Sequence, residues 1–255
     1  MLSIITVTYN NFNELIKTIN SIPKSASIES IVINGGQCEE TLDYLKSYSG
    51  KSISEKDEGI ADAFNKAVNL STGKYIMFLN SGDELIDKSY PEEALKILES
   101  SSTYDFVHSN ILFVDNQSNQ LFMRPQMKNV GRGMPYLHPT MIVRKNLFEK
   151  IGLFNKEIRI AMDFDWIVRL EKNASKGFYF GNEAVIRMDG SGKSVVNEYE
   201  AIKECYQILK NNKYLTAKNV YGFICRYFLF TARTLIVKTG FKDQLTSLKK
   251  IKYSK

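Results

Sequence analysis

The chain contains little cysteine, histidine or proline, and these shortages exclude several classes of protein. Its three cysteines, Cys38, Cys205 and Cys225, cannot all pair and show no metal-ligand spacing. We therefore expect reduced thiols in a cytosolic protein rather than a disulfide framework. Five prolines and 15 glycines in 255 residues exclude collagen-like and low-complexity chains. No basic segment precedes the first apolar stretch, so we expect no secretory signal there.

What is present is an ordinary globular composition with an uneven charge. Apolar residues make up 44% and charged residues 24%, and the length suits one large domain or a domain with an appendage. The net charge is +6, but residues 201–255 hold 12 lysines and arginines against two acidic residues. Such a basic tail predicts an anionic partner surface, a membrane or a nucleic acid; the alternative is a solvated helical face.

The first eighty residues alternate between strand and helix patterns. β-branched, apolar runs predict buried strands, with amphipathic helices between them, at residues 2–8, 30–33, 52–54 and 74–79. This order predicts an α/β fold with a parallel sheet wound in the right-handed sense.

Beyond residue 100 the patterns change. We predict further strands at residues 105–114, 120–123, 140–144 and 178–187, the first two antiparallel. A helix is predicted from Asp163, and only helices follow Val196. The sequence thus predicts a mixed, mostly parallel sheet flanked by helices over residues 1–195 and a basic, aromatic-rich helical extension over 196–255.

Polar loops follow each of the first four predicted strands. Because an open sheet binds ligands at the carboxyl ends of its strands, we expect one crevice to be formed by residues 9–11, 34–36, 55–59 and 80–83. In the last loop, the carboxylate of Asp83 on a glycine-containing turn suits a divalent ion shared with phosphate oxygens. The alternative is that Asp83 caps a helix that begins at Glu84.

Two further polar clusters are candidates for the site. Asp62, Asn65 and Lys66 share one face of a predicted helix and, with Asp57 before it, suit a ribose or a sugar; the alternative is a solvated face with an Asp62–Lys66 pair. Asp163 and Asp165 lead an apolar helix and point to different sides because they are two residues apart. One of them can act as a general base on an acceptor hydroxyl, and the alternative is capping.

The residues that carry these clusters resemble family 2 glycosyltransferases. The resemblance covers roughly residues 1–195, in the order and spacing of the family. Its segments are Thr8-Tyr9-Asn10, Asn34-Gly35-Gly36, the run from Ser54 to Lys66, Thr72 to Asn80-Ser81-Gly82-Asp83, His138-Pro139-Thr140, Ile151 to Phe154, and Ala161 to Leu170.

The resemblance implies a GT-A fold and an inverting transfer from a nucleotide-diphosphate sugar with Mn²⁺ or Mg²⁺. We expect UDP rather than GDP as the carrier of the sugar. It implies Asp163 as the catalytic base, with Asp165 a weaker candidate, and Asp83 as the metal ligand. Asn stands at positions 34 and 80, where the family more often has Asp. The resemblance and the polar clusters together give the nucleotide-sugar site as Thr8, Tyr9, Asn10, Asn34, Asp57, Asp62, Asn65, Asn80 and Ser81.

Three other residues and one loop are weaker candidates. Lys66 and Arg187 are candidate phosphate neighbours, and His138 is a candidate for the diphosphate or the metal, with a satisfied structural histidine as the alternative. The loop at 190–194 mimics a nucleotide loop, but Arg187 stands where that motif needs glycine. It instead resembles the flexible loop of the family, a lid over the donor.

The aromatic stretch at 220–237 predicts an interfacial helix rather than a membrane span. Arg226 and Arg233 interrupt it on one helical face, each costing about 2.5–3.5 kcal/mol at a bilayer centre. Attraction to anionic lipid would come from Lys249, Lys250, Lys252 and Lys255. The alternatives are a helix packed on the catalytic domain or a contact in a homo-oligomer.

The sequence therefore predicts a metal-dependent hexosyltransferase. We expect it in the cytoplasm, peripheral at the inner face of the plasma membrane, acting on a saccharide acceptor, polyprenyl-linked, in surface polysaccharide biosynthesis. The alternatives are a catalytically degenerate nucleotide-sugar-binding protein and a nucleic-acid-binding protein that uses the basic tail. A nucleotidyltransferase is disfavoured because no glycine-rich loop follows the first strand.

Overall fold

Four parallel strands joined by helices form the amino-terminal part of the structure. The computed structural model describes residues 1–115, 117–126, 130–190 and 197–238. β1 pairs in parallel with β2 and β4, and β2 pairs with β3, which confirms the predicted alternation. The elements are β1 (Leu2–Thr8), α1 (Phe12–Ser21), β2 (Ile28–Asn34), α2 (Glu39–Lys46), β3 (Lys51–Ser54), α3 (Ile60–Leu70) and β4 (Tyr75–Phe78).

The remaining strands extend this sheet with mixed pairing. They are β5 (Glu84–Leu85), β6 (Phe106–Val114), β7 (Gln120–Met123), β8 (Ile142–Arg144) and β9 (Gly177–Asp189). The helices among them are α4 (Tyr90–Ser100), α5 (Asn146–Ile151) and α6 (Met162–Lys172). The strand order is β3-β2-β1-β4-β8-β6-β9-β5, with β7 paired to β6. The predicted mixed α/β fold is confirmed.

Alternation along the strands divides the core into two layers. In β1, Ile5 packs into a cluster with Phe64 of α3 and Trp166 of α6. Its neighbour Ile4 packs on the opposite face, in the cluster that includes Leu95 of α4. Because successive side chains of a strand point to opposite faces, a fully apolar strand needs helices on both sides.

Three local predictions were incomplete or wrong. Residues 84–85 form a strand, so Asp83 does not cap a helix there. Residues 138–140 form a 3₁₀ turn, which delays the strand predicted at 140–144 until Ile142. The helices α4 and α5 were not predicted, although Pro91 and the acidic residues of the first turn of α4 are signals of a helix start.

Two helices, α7 (Glu198–Asn211) and α8 (Ala217–Lys238), follow the sheet and pack against the rest of the structure. Cys205, Ile208 and Leu209 of α7 share a buried cluster with Phe164 and Val168 of α6. α8 lies so close to the turn at 130–132 that a Cβ on Gly131 would be 2.0 Å from the carbonyl oxygen of Asn219.

Within the described ranges, no helix has the length and apolar character needed to cross a bilayer. The four lysines from Lys249 to Lys255 and residues 191–194 of the predicted lid lie outside these ranges.

Candidate active site

The loops that follow β1, β2 and β3 lie together at the carboxyl ends of these strands. The Oδ1 atom of Asn10, a residue in the left-handed region with φ of 53°, accepts hydrogen bonds from the amides of Gln37 (2.7 Å) and Cys38 (3.1 Å). A Cβ on Gly35 would lie 2.2 Å from Oδ2 of Asp57, so the second and third loops also touch. The predicted convergence of these loops is therefore present.

The two residues that the resemblance assigned to the nucleoside have different environments. The Tyr9 ring is 72% exposed at the rim of these loops and offers an open aromatic face. Asn34 is fully buried, and its amide group bonds to the backbone of Gly36 and to Oγ of Ser54 at 2.9 Å. Thr8 is also buried, donating to Oδ1 of Asn11. The side chains of Asn34 and Thr8 therefore stabilise the loops through internal hydrogen bonds.

Lys66, on the polar face of α3, forms ion pairs with three carboxylates. Its ammonium group lies 2.8 Å from Glu55, 2.9 Å from Asp57 and 3.1 Å from Asp62. Burial lowers the pKa of Lys66, but these three ion pairs outweigh it and raise the pKa above its usual range. The Asp62–Lys66 pair, which belongs to the alternative to a sugar-binding face, is thus present within a larger network that fixes Asp57 beside Gly35.

Asn65 lies on the same helix but is engaged with the protein backbone. Its Nδ2 atom donates to the carbonyl of Phe154, and its Oδ1 atom accepts from the amide of Phe154, both at 2.9 Å. The structure thus uses Asn65 as a clamp between α3 and the loop after α5, with both polar atoms of its side chain occupied. This role differs from the sugar contact expected from the sequence.

Asp83 lies at the end of the fourth loop, against a second carboxylate that the sequence analysis missed. Asp83 is only 5% exposed and accepts a hydrogen bond from the amide of Asp189, at the end of β9, over 3.1 Å. Burial and the charge of Asp189 raise the pKa of Asp83 and amide hydrogen bonds lower it, which together bring the pKa to about 7. Asp189 could have been proposed from the sequence, because it is an acidic residue between a predicted strand and a glycine-serine loop.

Unpartnered oxygens lie in the same loop as Asp83. Oδ1 of Asn80 and Oγ of Ser81 are buried and have no hydrogen-bond partner among the residues that the structure describes. A Cβ on Gly82, whose φ is +105°, would lie 3.3 Å from the Asp189 carboxylate, so the tight approach suits glycine.

This donor set fits a hard divalent cation. Mg²⁺ and Mn²⁺ bind one or two carboxylates and other oxygens, with the remaining positions filled by water and ligand phosphates. Two carboxylates, Asp83 and Asp189, with the oxygens of Asn80 and Ser81 supply such a set. In the part of the chain that the structure describes, no group of three or more His, Cys, Asp and Glu side chains could hold a metal.

Asp163, at the start of α6, lies close enough to His138 for each to affect the other. Burial raises the pKa of Asp163, whereas the charge of His138 and the amide of Phe164, 2.7 Å from Oδ1, lower it. Burial lowers the pKa of His138, and Asp163 raises it. The His138 ring stacks on Phe78 with centroids 5.4 Å apart. His138 is thus packed against an aromatic ring and lies near the Asp163 carboxylate.

Asp165 turns away from Asp163, as their spacing predicted. It is buried, and its carboxylate pairs with Arg169 at 2.9 Å and accepts a hydrogen bond from Asn212 at 3.0 Å. Arg187, another of the weaker candidates, pairs with Glu84 at 2.5 Å across the β5–β9 ladder. Both side chains are thus committed to contacts within the protein.

Comparisons with known proteins agree with this architecture. The family model described as glycosyl transferase family 2 matches residues 3–164. An uncharacterized glycosyltransferase of Rickettsia prowazekii is 27% identical over 203 residues, which is 73% of this chain and 63% of that protein, so the match spans less than two thirds of the relative.

Two solved structures share the fold. The S. aureus TarS fragment 1–349 in complex with UDP-GlcNAc is 17% identical, with a TM-score of 0.69, over 90% of this chain and 73% of that one. The mannosyltransferase PcManGT from Pyrobaculum calidifontis, in complex with GDP-Man and Mn²⁺, is 12% identical, with a TM-score of 0.63, over 99% of this chain and 83% of that one.

Proposed function

The chain belongs to glycosyl transferase family 2, and we propose that it moves a hexose from a nucleotide-diphosphate sugar to a saccharide acceptor with inversion at the anomeric carbon. One observation carries the donor half of this proposal. The buried Asp83 carboxylate beside Asp189, with oxygens of Asn80 and Ser81 that have no partner among the described residues, lies at the strand ends where an open sheet binds its ligand.

We propose UDP rather than GDP as the carrier of the sugar. The exposed ring of Tyr9 offers a stacking face for the base, and the loops that Asn10, Asn34 and Asp57 hold together form the floor beside it. TarS, with the higher TM-score of the two solved structures, is a complex with UDP-GlcNAc, and PcManGT is a complex with GDP-Man. These ligands belong to those proteins and support the nucleotide-sugar class.

We propose Mn²⁺ or Mg²⁺ as the cofactor, held by Asp83 and Asp189. A bound divalent ion would stabilise the negative charge that develops on the departing diphosphate. Asp83 and Asp189 would be ionised when they hold it, and Asn80 and Ser81 would contribute neutral oxygens near the same diphosphate.

Asp163 is the proposed general base. Its carboxylate accepts the proton of the acceptor hydroxyl while the hydroxyl oxygen forms a bond to the anomeric carbon and the bond from that carbon to the diphosphate breaks. Burial, by raising the pKa of Asp163, makes the carboxylate a stronger base, and the neighbouring His138 favours its ionised form. Attack from the side opposite the diphosphate inverts the anomeric centre.

We further propose that the C-terminal helices bring the enzyme to an anionic membrane. Along α8, five large apolar residues are between 59% and 68% exposed. Four of them recur on one face, namely Tyr221, Ile224, Phe228 and Leu235, and the fifth is Leu229. Arg226 lies on the opposite face, where its Nη1 atom would be 3.6 Å from a Cβ on Gly133. The basic balance of residues 201–255 complements acidic lipid headgroups.

A membrane-facing α8 suits a lipid-linked saccharide acceptor at the inner face of the plasma membrane, in surface polysaccharide biosynthesis. In this proposal, residues 1–195 bind the donor and perform the transfer, and residues 196–255 bring the site to the acceptor. The groups that react with the substrates lie in residues 1–195, and the extension brings the enzyme to the membrane.

A thermal-shift screen of UDP and GDP with and without Mn²⁺, followed by an assay of nucleoside diphosphate release from sugar nucleotides, tests the proposal. A ligand at 100 times its Kd stabilises the folded state by about 2.7 kcal/mol, which is readily measured. We expect a metal-dependent shift with UDP, and turnover that Asp163→Asn abolishes without changing the shift. A shift without turnover in the presence of saccharide acceptors would favour the degenerate binding protein.

A further inference from the structure

We propose that Glu204, on the C-terminal helix α7, is a positioning residue that fixes the segment from which α6 begins and thereby orients Asp163. This inference rests on the proposed function, because it gives Glu204 a part in the same transfer. Glu204 lies outside residues 3–164, the part of the chain that the family model matches.

The Glu204 carboxylate accepts three hydrogen bonds from consecutive backbone amides. The amides of Ala161 (2.8 Å) and Ile160 (3.0 Å) donate to Oε2, and the amide of Arg159 (3.3 Å) donates to Oε1. Amides at and before a helix start have no intrahelical acceptor, so an external one must satisfy them. A carboxylate is well suited to this task because its hydrogen bonds to amides are charge-assisted.

The Glu204 carboxylate bonds to backbone amides rather than to a cationic side chain. Among the described residues, no lysine or arginine forms an ion pair with it, although α7 carries lysines, one of which, Lys203, pairs with Glu200. An ordinary surface acid on a helix pairs with a lysine or faces water, whereas Glu204 is directed at one three-residue segment. This contact therefore has the character of a specific tie between α7 and the start of α6.

The held segment ends two residues before the proposed base. α6 begins at Met162, and Asp163 is its second residue, with its Oδ1 atom bonded to the amide of Phe164 at 2.7 Å. A shift or tilt of the helix start therefore moves the Asp163 carboxylate directly. Because a displacement of about 1 Å at a reacting group costs on the order of a hundredfold in rate, the position of this segment matters to the transfer.

A second, independent tie keeps α7 in place when Glu204 is changed. Asn212, at the end of α7, donates to Asp165 at 3.0 Å and accepts from Lys172 at 2.7 Å. The apolar residues Cys205 and Ile208 of α7 are buried against α6. Loss of the Glu204 carboxylate is therefore expected to loosen residues 159–161 without detaching the helix.

The test compares the full chain with Glu204→Ala, Glu204→Gln and a matched control, Glu200→Gln. The control removes the same charge from the same helix at an exposed position. Nucleoside diphosphate release from the UDP-sugar that the wild type turns over gives kcat and the donor KM. Hydrogen–deuterium exchange of the peptide spanning residues 157–163 reports whether the amides are held.

We expect Glu204→Ala to lower kcat ten- to a hundredfold, with the donor KM unchanged within twofold and the amides of 159–161 exchanging at least tenfold faster. Glu204→Gln keeps one acceptor oxygen and should fall between Ala and the wild type. The control should match the wild type in both measurements.

Unchanged kcat in a variant whose amides exchange faster would overturn the inference. So would a donor KM and a melting temperature that deteriorate together with kcat, since that result describes general loss of structure. A wild type that releases no nucleoside diphosphate would contradict the proposed function instead, and the amide exchange would still decide whether Glu204 holds the segment.

Discussion

The backbone amide of Asp189 donates a hydrogen bond to the carboxylate of Asp83 over 3.1 Å, although the two residues are 106 positions apart in the chain. This contact brings the end of β9 to the loop that follows β4. It places the buried Asp83 carboxylate near the charge of Asp189, and burial together with this repulsion favours either a proton or a metal ion at Asp83. The proposed metal site depends on this relationship.

Removal of either carboxylate should abolish the metal-dependent part of nucleotide binding. We expect Asp83→Ala and Asp189→Ala each to lose the additional thermal stabilisation that Mn²⁺ gives in the presence of UDP. The control is Asp43→Ala, which removes an exposed carboxylate that pairs with Lys46 on the surface. A full Mn²⁺-dependent shift in Asp189→Ala would exclude that residue from the site.

His108 should make the protein sensitive to acid. It is 1% exposed among the rings of Phe106, Tyr136 and Tyr179, and burial lowers its pKa to about 4. Between pH 6.5 and 4 the unfolded state binds a proton that the folded state does not, so stability falls as the pH falls through this window.

The variant His108→Phe should remove this pH dependence. At about 1.4 kcal/mol per unit of pKa, the wild type should lose at most about 3 kcal/mol between pH 7 and pH 4 from this group. Urea unfolding at both pH values measures the difference. An equal loss in wild type and variant would show that His108 is not the cause.

Asn65→Ala should lower stability rather than nucleotide affinity. The substitution leaves the amide and the carbonyl of Phe154 without their partners, at a cost of about 1–3 kcal/mol. Denaturant unfolding measures the loss, and the Kd for UDP with Mn²⁺ should stay within twofold of the wild-type value. A large rise in the Kd for UDP without loss of stability would instead indicate that Asn65 contacts the nucleotide sugar.

Phe228→Asp should weaken binding to anionic vesicles. Phe228 is 68% exposed on α8, and burying a phenylalanine in an apolar environment is worth about 1.5–3 kcal/mol, so sedimentation affinity should fall at least tenfold. Ile86→Asp, at another exposed apolar residue, is the matched control and should bind as the wild type does. Equal loss in both variants would argue against a membrane-facing α8.

Some of the site could be predicted because its signals are local. The strands that end at Thr8 and Asn34 are apolar runs, and each is followed by polar residues that mark the edge of the sheet. The two-residue spacing of Asp163 and Asp165 implied opposite directions, and the Asp165–Arg169 pair confirms this. Which of the two faces the crevice depends on how α6 packs, and spacing does not contain that information.

Other parts of the site depend on contacts between distant segments. Asn65 has the spacing of a polar helix face, yet its partner Phe154 lies 89 residues away and occupies its amide. Glu204 has the pattern of an exposed acid on an amphipathic helix, yet it meets the backbone of residues 159–161. In both cases the function of the side chain is set by a backbone group that the local sequence does not reveal.

The sequence by itself determined the alternation of strands and helices, the loops at the strand ends and the family, because periodicity, turn residues and ordered motifs are properties of neighbouring positions. Only the tertiary structure decided that Asp189 joins Asp83, that Asn65 is a clamp and that α7 holds the start of α6. These contacts join residues between 43 and 106 positions apart. Hydrogen bonds of this kind form only after the sheet and its helices have packed, so their partners are chosen by the fold rather than by the local pattern.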